Sequence, residues 1–219
     1  MGHLATIVGA GGRHEEAAVI SELRAGSEEA FAWLIGQFHQ PVYSLLARTI
    51  HDPADASDLT QEVFLKVFRG INTFHGDSSL RTWIYRIALH EASNRRRWWG
   101  RHKGKEVAIE AEVSDHGSGT QVCIGETLAD QQPSPFDCAA SSEVKSRVEA
   151  ALREVPEPFR TALVLRDIEG LSYEECAEVL GTQLGTVKSR LMRGRAALKV
   201  LLQEWVSASY TNGRKGEIR

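Results

Sequence analysis

Two stretches of the sequence combine residue types that bind nucleic acid, and the first lies in the middle of the chain. Residues 81–105 contain eight Lys or Arg residues and one acid, and Trp98 and Trp99 directly follow three arginines. Cations neutralise phosphates and exposed rings stack on unpaired bases, so this composition suits opened, single-stranded DNA. The two tryptophans could equally be core residues at the end of a helix. The stretch therefore predicts a DNA contact, and within it the arginines are better supported as DNA-binding residues than the tryptophans.

The second stretch, residues 183–199, contains five Lys or Arg residues and no acid. Just before it, Ser172 and Glu175 have the spacing of a capping box, and Gly181 is placed to end the short helix that follows. Thr182 is expected to cap a last helix, running from Gln183 past Leu198. Two helices joined by a tight turn predict a helix-turn-helix. The second helix presents the side chains that a major-groove helix needs: Lys188, Ser189, Arg190, Met192, Arg193 and Arg195. The alternative is a cationic helix that binds nothing.

The overall composition hides this pattern. The formal net charge is −3, but residues 106–137 contain seven acids and no base, and they offset the two basic stretches. Three cysteines without CxxC spacing predict neither a disulfide framework nor a zinc site. Apolar runs are too short for a bilayer, and the first residues do not resemble a secretory signal. We therefore expect a cytoplasmic protein with no membrane insertion, no metal and no cofactor.

The Gly-rich start, ATIVGAGGRHEEAAVI, suggests a competing interpretation as a nucleotide-binding enzyme. His14 occupies the position where the dinucleotide fingerprint needs its third glycine. No second strand with a ribose-binding acid follows at the required distance. A flexible extension over residues 1–14 is the preferred interpretation.

Helical periodicity divides the rest of the chain into two zones. Residues 15–100 and 141–205 are expected to be helical, whereas 101–140 are acidic and rich in turn formers and predict a flexible linker. Residues 206–219 are expected to form a loose tail. The predicted fold class is therefore all-α, with two small helical domains joined by a flexible linker.

Within the first zone, Ser27, Asp55 and either Ser78 or Ser79 are expected to cap three helices. On the helix after Asp55, Phe68 is assigned to the buried face, and on the next helix Arg81 and Tyr85 are expected to be exposed. A separate stripe on the helix after Asp55 consists of Asp58, Gln61, Glu62 and Leu65. It is either a solvated face or, because it includes Leu65, a surface for a partner.

Two segments give the sequence a specific resemblance. DLTQEVFLKVF followed by TFHGDSSLRTWIYRIALHEASNRRRW resembles conserved region 2 of the sigma-70 family in its short extracytoplasmic-function (ECF) form. LSYEECAEVLG followed by TQLGTVKSRLMRGRAAL resembles region 4 of the same family, with Gln183 where relatives usually have Pro. The resemblance implies a region 2 helical bundle and a region 4 helix-turn-helix.

The resemblance also implies roles for individual residues. Asp58, Gln61, Glu62 and Leu65 would face the β′ clamp helices of core RNA polymerase. Reading and melting of the −10 element would involve Asn72, Phe74, Trp83, Tyr85, Ile87, His90, Arg95, Arg96 and Arg97. Phe74 would help to hold a flipped base, although it could instead pack against Trp83. Relatives often have Asn in place of His90, which leaves the preferred base open.

The region 4 match assigns the −35 element to the last helix. Lys188, Ser189 and Met192 are the candidates for base edges, and Arg190, Arg193 and Arg195 are the candidates for phosphates, although Arg190 could instead support the domain. The implied partners are core polymerase, through its β′ clamp helices and β flap, promoter DNA and an anti-sigma factor. The resemblance implies an initiation factor and not an enzyme. A stand-alone helix-turn-helix regulator is the main alternative, but it would leave the first zone unexplained.

Overall fold

The computed structural model describes residues 13–50, 53–102 and 135–213, and these residues form helices without any strand. The N-terminal unit contains α1 (Arg13–Arg24), α2 (Glu28–Thr49), α3 (Pro53–Gly70), a 3-10 turn (Ile71–Thr73) and α4 (Leu80–His102). The C-terminal unit contains α5 (Pro135–Glu154), α6 (Glu157–Leu163), a π-helical turn (Val164–Ile168), α7 (Tyr173–Leu180) and α8 (Leu184–Gly213). The predicted all-α fold of two helical units is confirmed.

Local capping signals explain where several helices of the N-terminal unit begin. The Ser27 side chain accepts a hydrogen bond from the Ala30 amide and caps α2. Ser79 accepts from the Thr82 amide at 3.1 Å and starts α4, as one of the two predicted serines. Asp55 is not a cap, because α3 already begins at Pro53 and Asp55 lies in its first turn. The helices enclose one apolar core that includes Leu34, Leu45, Leu46, Leu59, Val63 and Ile84.

The C-terminal unit contains the predicted helix-turn-helix. Ser172 and Glu175 form a reciprocal capping box at the start of α7. Gly181 ends α7 with a left-handed φ of 57°, which a residue without a side chain adopts easily. The last helix begins at Leu184, slightly later than expected from a Thr182 cap, and it continues to Gly213, beyond the predicted end at residue 205. Helix α5 begins at Pro135, within the segment assigned to the linker.

The two units pack against each other. Helix α4 lies against α7, and α2 lies against α6. The guanidinium of Arg160 on α6 is almost completely buried and donates to the Thr49 carbonyl at the end of α2. Residues 1–12 of the predicted extension, most of the predicted linker and the last six residues of the tail lie outside the described residues, whereas Arg13 and His14 of the predicted extension already belong to α1.

Candidate nucleic-acid interface

The predicted partner stripe lies on the exposed face of α3. Asp58, Gln61, Glu62 and Leu65 are all exposed, and Leu65 has an exposure of 54%. Phe68 was expected to be buried, but this prediction is wrong, because its ring is 58% exposed and packs on Phe31 at a centroid distance of 4.7 Å. The periodicity assigned Phe68 to the core since it is apolar, although α2 covers only part of its ring. The stripe therefore combines carboxylates with an exposed apolar edge.

Arg95 connects this stripe to the basic end of α4. Its guanidinium donates to Asp55 at 3.2 Å and to Glu62 at 3.1 Å. Its side chain is only 25% exposed. The sequence indicated a DNA-facing arginine at this position, but it gave no signal that the partners are two carboxylates 33 and 40 residues away.

Glu91 is a buried acid that the sequence analysis did not select. Its carboxylate forms an ion pair with Lys66 at 2.6 Å and contacts the Nδ1 atom of His90 at 3.1 Å. Burial alone would raise the pKa of Glu91, but hydrogen bonds from Lys66 and His90 outweigh it, so the pKa lies below its usual value. Glu91 thereby orients the ring of His90, which itself remains exposed.

Phe74 is buried beneath the loop that carries it. Its ring is 4% exposed and stacks on Trp83 at a centroid distance of 4.9 Å. Arg24 donates a hydrogen bond to the Phe74 carbonyl and so ties the loop to α1. Of the two interpretations left open by the sequence, packing against Trp83 is the one seen in this structure. The neighbouring Asn72 is exposed.

The expectation that Tyr85 is exposed is wrong. Its side chain is completely buried, and its hydroxyl donates to the Glu169 carboxylate at 2.5 Å. Burial, followed by this hydrogen bond, raises the pKa of Tyr85 well above its usual value. The physical reason is that the C-terminal unit covers this face of α4. The sequence pattern of α4 alone contains no information about that cover.

Other predicted members of the α4 surface remain accessible to different degrees. His90, Arg96 and Arg97 are exposed, whereas Ile87 is half-buried. Arg96 forms an ion pair with Glu157 at 2.7 Å. Trp98 is 47% exposed, and the side chain of Trp99 lies outside the described residues. The structure thus brings the basic residues together along one helix but separates them from the buried Phe74, Trp83 and Tyr85.

Helix α8 presents its predicted DNA-reading residues unequally. Lys188, Met192 and Arg193 are exposed, and Met192 has an exposure of 67%. Ser189 is half-buried and donates to the Thr186 carbonyl at 2.9 Å. Arg190 is half-buried and lines the cleft between the two units. Arg195 is also exposed, so the exposed members of this predicted set are three cations and one thioether.

Arg195 has a carboxylate partner inside its own unit. It donates to Asp167 through two nitrogens, at 2.6 and 2.9 Å. Such a two-pronged pair fixes the geometry of both side chains. It joins α8 to the π-helical turn that contains Asp167. A phosphate contact by Arg195 would have to compete with this pair.

Two features are absent from the described residues. None of their helices is both long and apolar enough to cross a membrane. In the same part of the chain, no three His, Cys, Asp or Glu side chains are arranged to hold a metal ion.

Comparison with known proteins connects this geometry to a family. Residues 34–100 match the family described as Sigma-70 region 2, and residues 145–198 match Sigma-70, region 4. The chain is 34% identical over 191 residues to the RNA polymerase sigma-H factor of Pseudomonas aeruginosa, covering 87% of this chain and 95% of that protein. It is also 34% identical over 182 residues to the ECF RNA polymerase sigma-E factor of Escherichia coli K12, covering 82% and 90% of the two chains.

Solved structures give the same fold. The structure of CnrH in complex with the cytosolic domain of CnrY is similar with a TM-score of 0.60 and 22% identity, over 86% of this chain and 97% of that one. The sigma factor RpoE of Bartonella quintana, crystallised with the anti-sigma factor NepR, has a TM-score of 0.58 and 22% identity, over 79% and 96% of the chains. At this identity the likeness concerns the fold.

Proposed function

Because this chain belongs to the sigma-70 family of RNA polymerase sigma factors, in its ECF branch, we propose that it directs core RNA polymerase to promoters. In this role it binds core polymerase, recognises the −35 and −10 elements and promotes melting of the DNA near −10. The reaction itself, nucleotide addition, belongs to the polymerase. The chain acts by binding and by stabilising opened DNA, and its place of action would be the cytoplasm.

The α3 stripe is our candidate for the contact with the β′ clamp helices. Asp58, Gln61, Glu62 and Leu65 are exposed on one helix face, and the Phe68 ring extends this face with apolar surface. An interface needs an apolar centre with charged groups that select the partner. The C-terminal unit is proposed to contact the β flap.

The α4 surface is our candidate for the −10 element. Exposed His90, Arg96 and Arg97 of α4, together with exposed Asn72 in the preceding 3-10 turn, are assigned to direct DNA contacts, with Arg95 at their edge. The partly buried Ile87 forms part of the pocket wall. Phe74, Trp83 and Tyr85 support this surface from within, because their side chains are buried in the absence of DNA. Base capture by Phe74 itself would require its ring to leave Trp83.

Helix α8 is our candidate for the −35 reader. Lys188, Ser189 and Met192 are assigned to base edges, since Lys188 and Met192 are exposed on the second helix of a helix-turn-helix. Arg193 is assigned to a phosphate. Arg190 and Arg195 are weaker candidates, because Arg190 is half-buried at the cleft between the two units and Arg195 is paired with Asp167.

One observation carries the proposal: the same chain has an exposed stripe with carboxylates on α3 and an exposed cationic face on a helix-turn-helix. A stand-alone regulator would need the second feature alone. The similar sigma factor RpoE of Bartonella quintana was crystallised with an anti-sigma factor bound, and we include such an inhibitor among the proposed partners.

The experiment is run-off transcription with purified core polymerase on a pool of genomic promoters. We expect defined transcripts that require both this protein and core. A stand-alone regulator would instead bind duplex DNA without core and would start no transcript. Binding to core measured in parallel separates a failed polymerase contact from an unsuitable promoter pool.

A further inference from the structure

Glu91 is held between α3 and α4 with a different partner for each carboxylate oxygen. Its Oε2 atom pairs with the Lys66 ammonium on α3 at 2.6 Å, and its Oε1 atom lies 3.1 Å from Nδ1 of His90. The Glu91 side chain is 8% exposed, whereas Lys66 and His90 are exposed. Burial disfavours the charged form of the acid, and the Lys66 ammonium counters that effect. The group is therefore a carboxylate, which accepts hydrogen bonds and donates none.

The Nδ1 atom of His90 has two polar neighbours, and it can form a hydrogen bond with only one of them. It lies 3.1 Å from Oε1 of Glu91 and 3.2 Å from Nδ2 of Asn94. As a donor, Nδ1 forms a charge-assisted bond with the carboxylate, and the Asn94 amide retains Oε1 of Glu91 as its own acceptor at 3.5 Å. As an acceptor from Asn94, Nδ1 would direct a lone pair at the ionised oxygen. Electrostatics therefore favours a proton on Nδ1.

Asn94 cannot replace Glu91 as the acceptor for this proton. Arg97 donates to the Oδ1 atom of Asn94 at 2.5 Å, which turns the NH2 group of Asn94 toward His90. Rotation of the amide would bring its NH2 group against the Arg97 guanidinium, where two donors would face each other. The acceptor that holds the Nδ1 proton is therefore the Glu91 carboxylate.

The opposite side of the His90 ring is fixed as a consequence. A neutral imidazole has one proton on its two nitrogens, so a proton on Nδ1 leaves a lone pair on Nε2. The His90 side chain is 66% exposed. On the same helix, Arg96 and Arg97 are exposed as well. A hydrogen-bond acceptor thus lies beside cationic donors on the proposed −10 surface.

Unpaired bases differ at their Watson–Crick edge in a way that an acceptor can distinguish. Cytosine and adenine project an amino group from the ring, and this group donates to an acceptor. Uracil and thymine have a carbonyl oxygen on each side of one recessed N–H group, and these oxygens repel a lone pair. An acceptor at Nε2 therefore favours a base with an exocyclic amino group.

From this geometry we propose that Glu91 is a positioning residue for −10 recognition, which fixes the Nδ1–H tautomer of His90 so that Nε2 selects an unpaired base with an exocyclic amino group. The inference rests on the proposed function, which assigns His90 to the −10 strand, and it deepens that function by naming the class of base. Glu91 itself does not contact DNA, because its side chain is buried.

The decisive variant is Glu91→Gln, which keeps the size of the side chain. Lys66 needs an acceptor, so it attracts the carbonyl oxygen of the new amide and leaves the NH2 group facing His90. That group donates to Nδ1, which moves the ring proton to Nε2. The matched control is Lys66→Gln, which removes the same ion pair but leaves the carboxylate beside His90. His90→Ala removes the acceptor altogether.

Two measurements follow the tautomer and the choice of base. Nitrogen-15 NMR of the full-length chain with labelled histidine reports which ring nitrogen is protonated, and the His90 signal is identified by its loss in His90→Ala. Spectra at two alkaline pH values identify the neutral ring as the form whose signal does not change. Fluorescence anisotropy measures the binding of labelled deoxycytidine and deoxyuridine oligonucleotides of equal length by the complex of this chain with core polymerase. Core polymerase alone gives the background, and circular dichroism verifies folding.

We expect the Nδ1–H form of His90 in wild type and in Lys66→Gln, and the Nε2–H form in Glu91→Gln. The wild-type complex should bind the deoxycytidine oligonucleotide about threefold to tenfold more tightly than the deoxyuridine one, as expected for one hydrogen bond. This preference should persist in Lys66→Gln, disappear in His90→Ala, and disappear or reverse in Glu91→Gln. A role of Glu91 in stability alone would lower both affinities together and leave their ratio unchanged.

An Nε2–H form in wild type would overturn the positioning role, whether or not Glu91→Gln folds. A wild-type preference that survives in His90→Ala would overturn the selection of the base by His90. Failure of the proposed function has a different signature, because the chain would then not bind core polymerase at all. The base selection would fall with it, whereas the spectrum of the free chain would still decide the tautomer.

Discussion

Arg95 donates a hydrogen bond to Glu62 at 3.1 Å and thereby joins the proposed DNA surface of α4 to the proposed polymerase surface of α3. A variant at Glu62 therefore disturbs both surfaces. Asp58 lies one turn earlier on α3, is exposed and is not part of this pair. A test of the polymerase contact is cleaner at Asp58 than at Glu62.

We predict that Asp58→Arg weakens binding to core polymerase about tenfold or more, because it places a cation where the partner accepts a carboxylate. The measurement is fluorescence anisotropy or co-purification with core. The matched control is Glu154→Arg, which makes the same charge change at an exposed residue of the C-terminal unit. Unchanged core affinity of a normally helical Asp58→Arg protein would remove α3 from the interface.

The buried position of Phe74 leads to a second prediction. Phe74→Ala should reduce the free energy of unfolding by about 3 kcal/mol, because it removes a ring that stacks on Trp83 in the core. Thermal melting measures this loss, and Phe74→Leu should retain most of the stability. A promoter already unpaired across the −10 element should not restore transcription by Phe74→Ala at temperatures where the variant is unfolded.

A different result would assign base capture to Phe74. Its signature is an unchanged melting temperature, normal binding to core and loss of open complexes on duplex promoter. Activity would then return on the pre-opened template. The two results are mutually exclusive, since one variant cannot both retain and lose the stability contributed by the Phe74–Trp83 stack.

The sequence predicted those features that depend on residues close to one another along the chain. The capping box of Ser172 and Glu175 and the left-handed Gly181 are local geometries, and both are present. The exposed stripe of α3 followed from helical spacing. Local geometry is set by residues a few positions apart, so a single sequence contains the information.

Contacts between distant segments could not be predicted in this way. Tyr85 and Glu169 are 84 residues apart, and nothing in the pattern around Tyr85 indicates a buried partner. Arg195 was assigned to a phosphate because its neighbours in the sequence include no acid. Its carboxylate partner, Asp167, is 28 residues away. Phe68 was assigned to the core because it is apolar and fits the helical spacing of the buried residues. An exposed apolar residue beside the buried face can fit the same spacing, so spacing does not distinguish the two.

For helix α8, we predict different effects of Arg193 and Met192. Arg193→Ala should weaken binding to all −35 sequences similarly and reduce the salt slope by about one, as expected for loss of one phosphate contact. Met192→Ala should instead change the ranking of −35 variants. Binding titrations at several salt concentrations measure both effects, and an exchange of the two patterns would reverse the assigned roles.

Arg195→Ala serves as a comparison for Arg193→Ala. Because Arg195 is paired with Asp167, we expect Arg195→Ala to lower the melting temperature and to change the salt slope of DNA binding little. Asp167→Asn should lower the melting temperature in the same way if the pair stabilises the unit. An unchanged melting temperature for both, together with a reduced salt slope for Arg195→Ala, would restore Arg195 to the phosphate contacts.

Cys176 is predicted to be chemically inert in the folded protein. Burial raises the pKa of its thiol to about 11. At pH 8 only about one thiol in a thousand would be ionised, and the thiolate is the reactive form. In a chain with Cys123→Ser and Cys138→Ser, alkylation by iodoacetamide should be slow at pH 8 and become fast in denaturant. Rapid alkylation of the native protein would contradict the buried position.

Gly194 is predicted to be necessary for the close approach of α8 to α6. A Cβ added at Gly194 would lie 3.0 Å from the Leu163 side chain and 3.2 Å from the Phe159 carbonyl oxygen. Helix propensity alone favours alanine over glycine by about 1 kcal/mol, but the Leu163 side chain would have to shift, and the Phe159 carbonyl oxygen is a backbone atom that no rotamer change can move. Gly194→Ala should therefore destabilise the protein by about 1–3 kcal/mol.

The control for this substitution is Gly36→Ala in the middle of α2, where an added Cβ meets nothing within 4 Å. Propensity acts there without a steric penalty, so Gly36→Ala should leave stability unchanged or raise it by up to about 1 kcal/mol. Urea unfolding followed by circular dichroism measures both variants under the same conditions. Equal stabilisation by both alanines would show that α8 can move away from α6 at no cost, and the packing of the helix-turn-helix against Leu163 would then be looser than the distances indicate.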